Sequence, residues 1–198
     1  MVARHPEDDA PEGFARALET LRAARLRPEV ILDEAPAPQR LAPHSVALTA
    51  DVVVDDEEIA SGRFVVLHDP DGHDAWEGEY RVVTFARAPV EREVADDPVF
   101  PAVGWAWLLE ALAARDAEWT AASGTVTRVS SEHFGGIEDR SDTAEVEIRA
   151  SWTARTSADH PWVDLGPHLQ AWAHLLAELA GLPPLAPGVV ALPRPRRP

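Results

Sequence analysis

Apolar and polar residues alternate with a period of two from His44 to Asp55, the pattern of a half-buried strand. Val46, Leu48, Ala50, Val52 and Val54 fall on one side, and Ala47, Thr49, Asp51, Val53 and Asp55 on the other. Upstream the period is helical. Phe14, Leu18, Leu21 and Ala24 recur at intervals of three and four after Pro11-Glu12-Gly13, and Pro28 stops the helix. Glu29 to Leu32 extends briefly, and Asp33 to Pro43, with Pro36, Pro38 and Pro43, reads as a stiff connector. Two more strands are expected at Gly62–His68 and Glu79–Ala88, separated by the turn formers Asp69-Pro70-Asp71-Gly72-His73-Asp74.

Pro98 to Asp116 reads as a middle helix with Val103, Trp107, Leu108 and Leu112 as its core stripe. A long hairpin then pairs Trp119–His133 with Thr143–Thr153 around the Gly135-Gly136 break. Its second arm sets Val146, Ile148, Ala150 and Trp152 against Glu145, Glu147, Arg149 and Ser151. Its first arm carries Ala121, Ala122, Ser123 and Gly124, small enough to let a helix or another chain approach closely. Pro167 and Gly181 bracket a last helix that buries Leu169, Trp172, Leu176 and Leu179. The expected fold is therefore α+β, a mainly antiparallel five-stranded sheet with helices on one face, in the order α-βββ-α-ββ-α. Residues 11–182 form a single domain in this reading, after a flexible N-terminus (residues 1–10) and before a proline- and arginine-rich tail (residues 183–198).

Composition narrows the function classes. The chain has 198 residues, 45 % of them hydrophobic and 26 % charged, which suits one globular domain. Every one of its 18 basic residues is arginine, and the net charge is −16. A surface so acidic repels phosphate backbones, and the only basic cluster is Arg194, Arg196 and Arg197, so direct nucleic-acid binding is not expected. The absence of cysteine excludes disulfides and thiolate chemistry. No signal-like or membrane-spanning apolar run occurs, which leads to the expectation of a soluble cytoplasmic protein without membrane association.

The candidate chemistry is sparse. His68 and the Asp69–Asp74 loop offer metal-ligand types, but a helix–loop–helix calcium site needs glutamate at the twelfth position, where Tyr80 stands. No metal and no cofactor are expected. There is no nucleophile elbow, no phosphate-binding glycine loop and no dinucleotide fingerprint. Strand alternation puts Glu132 and His133 on opposite faces, so they form no local acid–base pair. Arg128, Ser130 and Glu132 share one face as a polar stripe, with Arg128 either holding an anionic group or pairing with Glu132. Trp105 and Trp107 lie about 200° apart on a helix, so one of them should look outward as an interface anchor. The candidate binding residues are Arg128, Ser130, Glu132, His133 and Trp105, and no residue is assigned to catalysis.

The segments RLRPEVILDEAPAPQRLAPHSVAL, AVGWAWLLEAL, AASGTVTRVSSEHFGGIEDRSDTAEVEIRASWT and HLQAWAHLLAELAGLPP resemble the actinobacterial domain-of-unknown-function 3000 family. The likeness runs from about residue 12 to residue 193 and implies a lineage but no activity, cofactor or catalytic residue. The expected element order is also similar to the type III secretion chaperone fold, whose members are small, acidic and usually dimeric. The leading expectation is a non-enzymatic binding or scaffolding module, dimeric and chaperone-like, that takes a protein partner or self-associates. The alternative is a small hydrolase or ligand-binding enzyme with its site near Arg128, Glu132 and His133.

Overall fold

The computed structural model describes residues 11–139, 141–157 and 162–184. The chain folds as α1 (Glu12–Ala23), β1 (Val30–Ala35), β2 (His44–Val54), β3 (Glu57–His73), β4 (Gly78–Val90), α2 (Arg92–Asp96), α3 (Phe100–Ala113), β5 (Trp119–Ser131), β6 (Thr143–Ala154) and α4 (Gly166–Leu179). The sheet has six strands in the order β1-β2-β3-β4-β6-β5, and every neighbouring pair is antiparallel. The α+β class and the antiparallel sheet are as expected. The strand count and element order are not, because β1 precedes the expected first strand and α2 precedes the expected middle helix. The similarity to the type III secretion chaperones rested on that order and goes with it. The N-terminus expected to be flexible and most of the expected tail lie outside the described residues.

The missed strand has a clear cause. Val30 and Leu32 pair with Val52 and Ala50 on the helix-covered face, an alternation of only two apolar positions. The prolines that suggested a connector begin at Pro36, after the strand has ended. That connector still matters. Ala37 and Ala42 pack on Ala47, Val65 and Leu67, so it covers part of the face opposite the helices. The strand β3 also runs on to His73, past the expected hairpin loop, and the chain reverses in the 3-10 turn Asp74–Trp76.

The core lies between the sheet and the helices. In α1, Phe14, Ala17, Leu18 and Leu21 are buried, close to the predicted face. The stripe Leu169, Trp172, Leu176 and Leu179 of α4 is buried as the periodicity requires. In α3 the buried set is Phe100, Gly104, Leu108, Ala111 and Leu112, and Val103 is exposed instead. The helix rotates so that Gly104 meets the Ile148 side chain, where a Cβ would lie 3.2 Å from Cδ1.

The seat of α4 depends on Gly62 in β3. A Cβ there would lie 2.5 Å from the Phe85 carbonyl oxygen and 2.7 Å from Cζ2 of Trp172. The indole can therefore rest against the strand, and its Nε1 donates to the Phe85 carbonyl at 3.2 Å. Trp152, fully buried in β6, donates from Nε1 to Nδ1 of His168 at 3.0 Å. That acceptor role requires a neutral imidazole with its proton on Nε2. His68 is also buried, stacked on Phe14 with ring centroids 5.2 Å apart and beside Tyr80 at 4.3 Å.

Burial holds the pKa of both His68 and His168 down to about 4; the neighbouring His44 adds to the effect on His68. In the unfolded chain both rings take up a proton near pH 6.5. Stability from these neutral rings is thus present above pH 6.5 and lost as the pH falls towards 4. The urea midpoint should fall across that interval, and His68→Phe, which keeps the ring stack, should show a shallower fall. An equal acid sensitivity in the variant would contradict this origin. Gly62→Ala should separately cost about 1–3 kcal/mol in denaturant titrations, the usual range for overpacking.

Candidate functional site

The predicted polar stripe faces the helix side of the sheet, because β5 pairs Arg128 with Val146 and Ser130 with Ala144. There it meets α2. The Arg128 guanidinium donates through Nη1 to the carbonyls of Ala95 (2.8 Å) and Asp97 (2.6 Å), the C-terminal end of that helix. This placement suits a cation, since the last carbonyls of a helix lack intrahelical donors. Glu132 pairs with Arg92 of α2, which also reaches Asp142 at 2.6 Å and Asp96 at 3.6 Å. Arg128 and Glu132 therefore each hold α2 rather than one another. Ser130 is exposed at the end of the strand. His133 is half-buried with Nδ1 unpartnered, and the structure does not bring it together with Arg128 or Glu132.

Trp105 is half-buried and anchors α3 on β5. A Cβ on Gly124 would lie 2.6 Å from Cζ3 of Trp105, so the small residues of the first hairpin arm do admit a helix. Trp107 is also half-buried and meets Phe100 edge to face at 5.8 Å. Neither tryptophan stands free of the core, because α3 sits near the sheet margin and both of its flanks find neighbours. In the stretch from His68 to Asp74, His68 turns into the core and His73 stacks on Trp76, so the two histidines do not converge.

A concave feature lies on the other face. A groove of about 500 Å³ crosses β3, β4, β6 and β5, walled by Val65, Val83 and Phe85 and flanked by Arg63 and Arg149. Among the described residues no acidic one lines it, in a chain with 34 of them. Arg63 donates through Nη2 to the Pro36 carbonyl, and Arg149 pairs with Glu147 at 2.9 Å while lying over the Phe85 ring.

Beside this groove the guanidinium of Arg81 is buried without a counter-ion. Only 9 % of Arg81 is exposed, and no described carboxylate lies within ion-pair distance. Its Nη1 donates to the Ala121 carbonyl (2.9 Å) and to Oγ1 of Thr153 (3.1 Å). Its Nη2 donates to Oγ of Ser151 (2.7 Å) and Oγ of Ser123 (3.3 Å). Burial lowers its pKa, and Glu77 opposes that more weakly. The bond to Ala121 explains part of the arrangement. β5 has an irregular register between Thr120 and Ser123, Ala121 takes a φ of 49°, and Arg81 ties down the displaced carbonyl.

Sequence reasoning did not find Arg81. The signal was present, since Arg81, Val83, Phe85 and Arg87 alternate with the buried Val82, Thr84 and Ala86. Its meaning needed the knowledge that β6 enters the sheet between β4 and β5, which sets Ser151 and Ser123 beside it.

These features define an α+β protein with one helix-covered sheet face and one grooved face. The chain belongs to the family described as Protein of unknown function (DUF3000), whose family model matches residues 10–190. No curated protein and no solved structure gives a match. Among the described residues no helix is long and apolar enough to cross a membrane.

The clasp on α2 should be uneven. Arg128→Met should lose about 1 kcal/mol through its carbonyl bonds and speed amide exchange in α2. Arg92→Ala, whose ion pairs are all exposed, should leave the melting temperature close to wild type. Equal exchange rates in α2 for Arg128→Met and wild type would contradict the clasp.

Proposed function

We propose that this protein is a non-enzymatic binding module that assembles with a second copy of itself along the outer edge of β5. The observation that carries this reading is the contrast between the two edges of the sheet. At one edge, β1 is six residues long, carries the exposed Asp33 and Glu34, and is followed by Pro36 and Pro38. Those are the usual defences against edge-to-edge pairing. At the other edge, β5 is 13 residues long, largely exposed, and contains neither proline nor any acidic residue. Its register is unbroken from Ser123 to Ser131, and no described element pairs with its outer side.

The local charge admits a second copy of the chain despite its net acidity, because β5 carries no carboxylate and two β5 edges related by a two-fold axis meet without opposing carboxylates of their own. Apolar surface also gathers at this end, with Val129 39 % exposed on the strand and Phe134 75 % exposed just beyond it.

Sedimentation of the full chain tests the reading. The wild type should sediment as a dimer and Thr127→Lys/Val129→Lys as a monomer with an unchanged circular dichroism spectrum. Those positions lie opposite Glu147 and Glu145 on β6, so the added lysines gain cross-strand partners within the monomer. Two copies would instead bring the lysines together. A wild type that stays monomeric at every concentration, or a double variant that still dimerises, overturns the proposal.

A further inference from the structure

The buried guanidinium beside the groove points to a ligand that no other feature accounts for. A cation removed from water and left among neutral oxygens is costly unless an anion completes its surroundings. All the partners of Arg81 are neutral: one carbonyl and three hydroxyls. Thr153 gives its own proton to the Trp76 carbonyl, so it has none to offer elsewhere. Ser123 and Ser151 differ. Each accepts from Nη2 of Arg81, and both belong to the lining of the groove. Their oxygens are 3.3 Å apart, so even if one hydroxyl donates to the other, at least one polarised proton is left to point into the groove.

We infer that the groove binds an organic carboxylate, its head on the Ser123 and Ser151 hydroxyls backed by Arg81 and its apolar body along Val65, Val83 and Phe85. One buried cation with no ion-pair partner among the described residues matches one negative charge. Of the two flanking cations, Arg149 is engaged by Glu147 and Arg63 is turned to the Pro36 carbonyl, which leaves less for a multiply charged phosphate. Apolar walls with a few convergent polar groups, in a volume of about 500 Å³, are the usual features of a small-molecule site. The inference goes beyond the dimer reading and does not rest on it: β5 contributes backbone to the one and Ser123 to the other.

Calorimetric titration of the full chain tests the site with phenylacetate and heptanoate, their neutral amides, inorganic phosphate, and a glutamate-bearing pentapeptide with blocked ends. Saturable binding of the free acids or of the peptide is expected, and whichever binds tighter identifies the source of the carboxylate. The amides should bind at least tenfold more weakly. Ser123→Ala/Ser151→Ala should lose at least tenfold in affinity for the acid, with an unchanged circular dichroism spectrum. Arg81→Met should abolish binding, and the serine pair keeps the test valid if that variant does not fold. Amides that bind as well as acids, phosphate that binds tighter than either acid, an unaffected serine variant, or no saturable binding by any carboxylate would each overturn the inference. A monomeric wild type that still binds phenylacetate would separate this site from the dimer.

Discussion

The contact of Trp172 with Gly62 is the constraint on which the rest of the molecule depends. A sheet of six strands can be covered by few helices only if those helices sit close, and closeness here comes from the missing side chain on β3. With the indole pressed to the strand, its Nε1 reaches the Phe85 carbonyl and fixes the height of α4. From that position α4 presents His168 to Trp152 on β6, and its first residues meet α1 where Thr20 accepts from the Leu165 amide. The same device recurs at the far side, where Gly124 admits Trp105 and seats α3 on β5. Two tryptophans over two glycines therefore set the spacing of the helical layer along the sheet. Large aromatic rings bury much apolar area, so each contact contributes strongly for one small residue given up.

Covering one face completely leaves the other to be dealt with differently. The connector after β1 lies over Ala47, Val65 and Leu67, and Trp76 closes the same patch from the β3–β4 turn. The strip beyond it, over β4, β6 and β5, holds the groove. Arg63 and Arg149 flank it and Arg81 lies beside it. Arg81 is the extreme case, a charge held under the surface by hydroxyls and a displaced carbonyl. The irregularity in β5 is part of that arrangement, since it turns the Ala121 oxygen toward the guanidinium.

Much of this was legible in the residues. Period-two alternation in β2 and β6 and the stripes of α1 and α4 predicted location and the side facing the core, although α4 is buried around most of its circumference. The elements that escaped notice lack such a signal. Val30–Ala35 is short, and its neighbouring prolines outweighed its pattern. Arg92–Asp96 has a single buried residue, Ala95, and owes its helix to partners on another element, Arg128 and Glu132. The candidate stripe was correctly placed on one face of a strand, but which face could not be known without the pairing of β5 with β6. That pairing turned the stripe towards α2 and turned Ser123 towards Ser151. Sites assembled from non-consecutive strands are hidden from a reading that moves along the chain.

The insertion of β6 between β4 and β5 also has a bearing on how the chain is made. A ribosome delivers β1 to β4 first, and these can form a meander whose neighbours are consecutive in sequence. Its last strand, Gly78–Val90, is rich in Val, Phe and Ala, and its outer edge stays unpaired until Thr143–Ala154 has emerged. β5 cannot fill that place, since its partner in the sheet is β6 alone. The second hairpin must therefore be synthesised whole and dock as a unit, and until then the nascent protein carries a raw apolar edge open to the wrong neighbour. The hazard ends only when the final strand slots into the middle of the sheet.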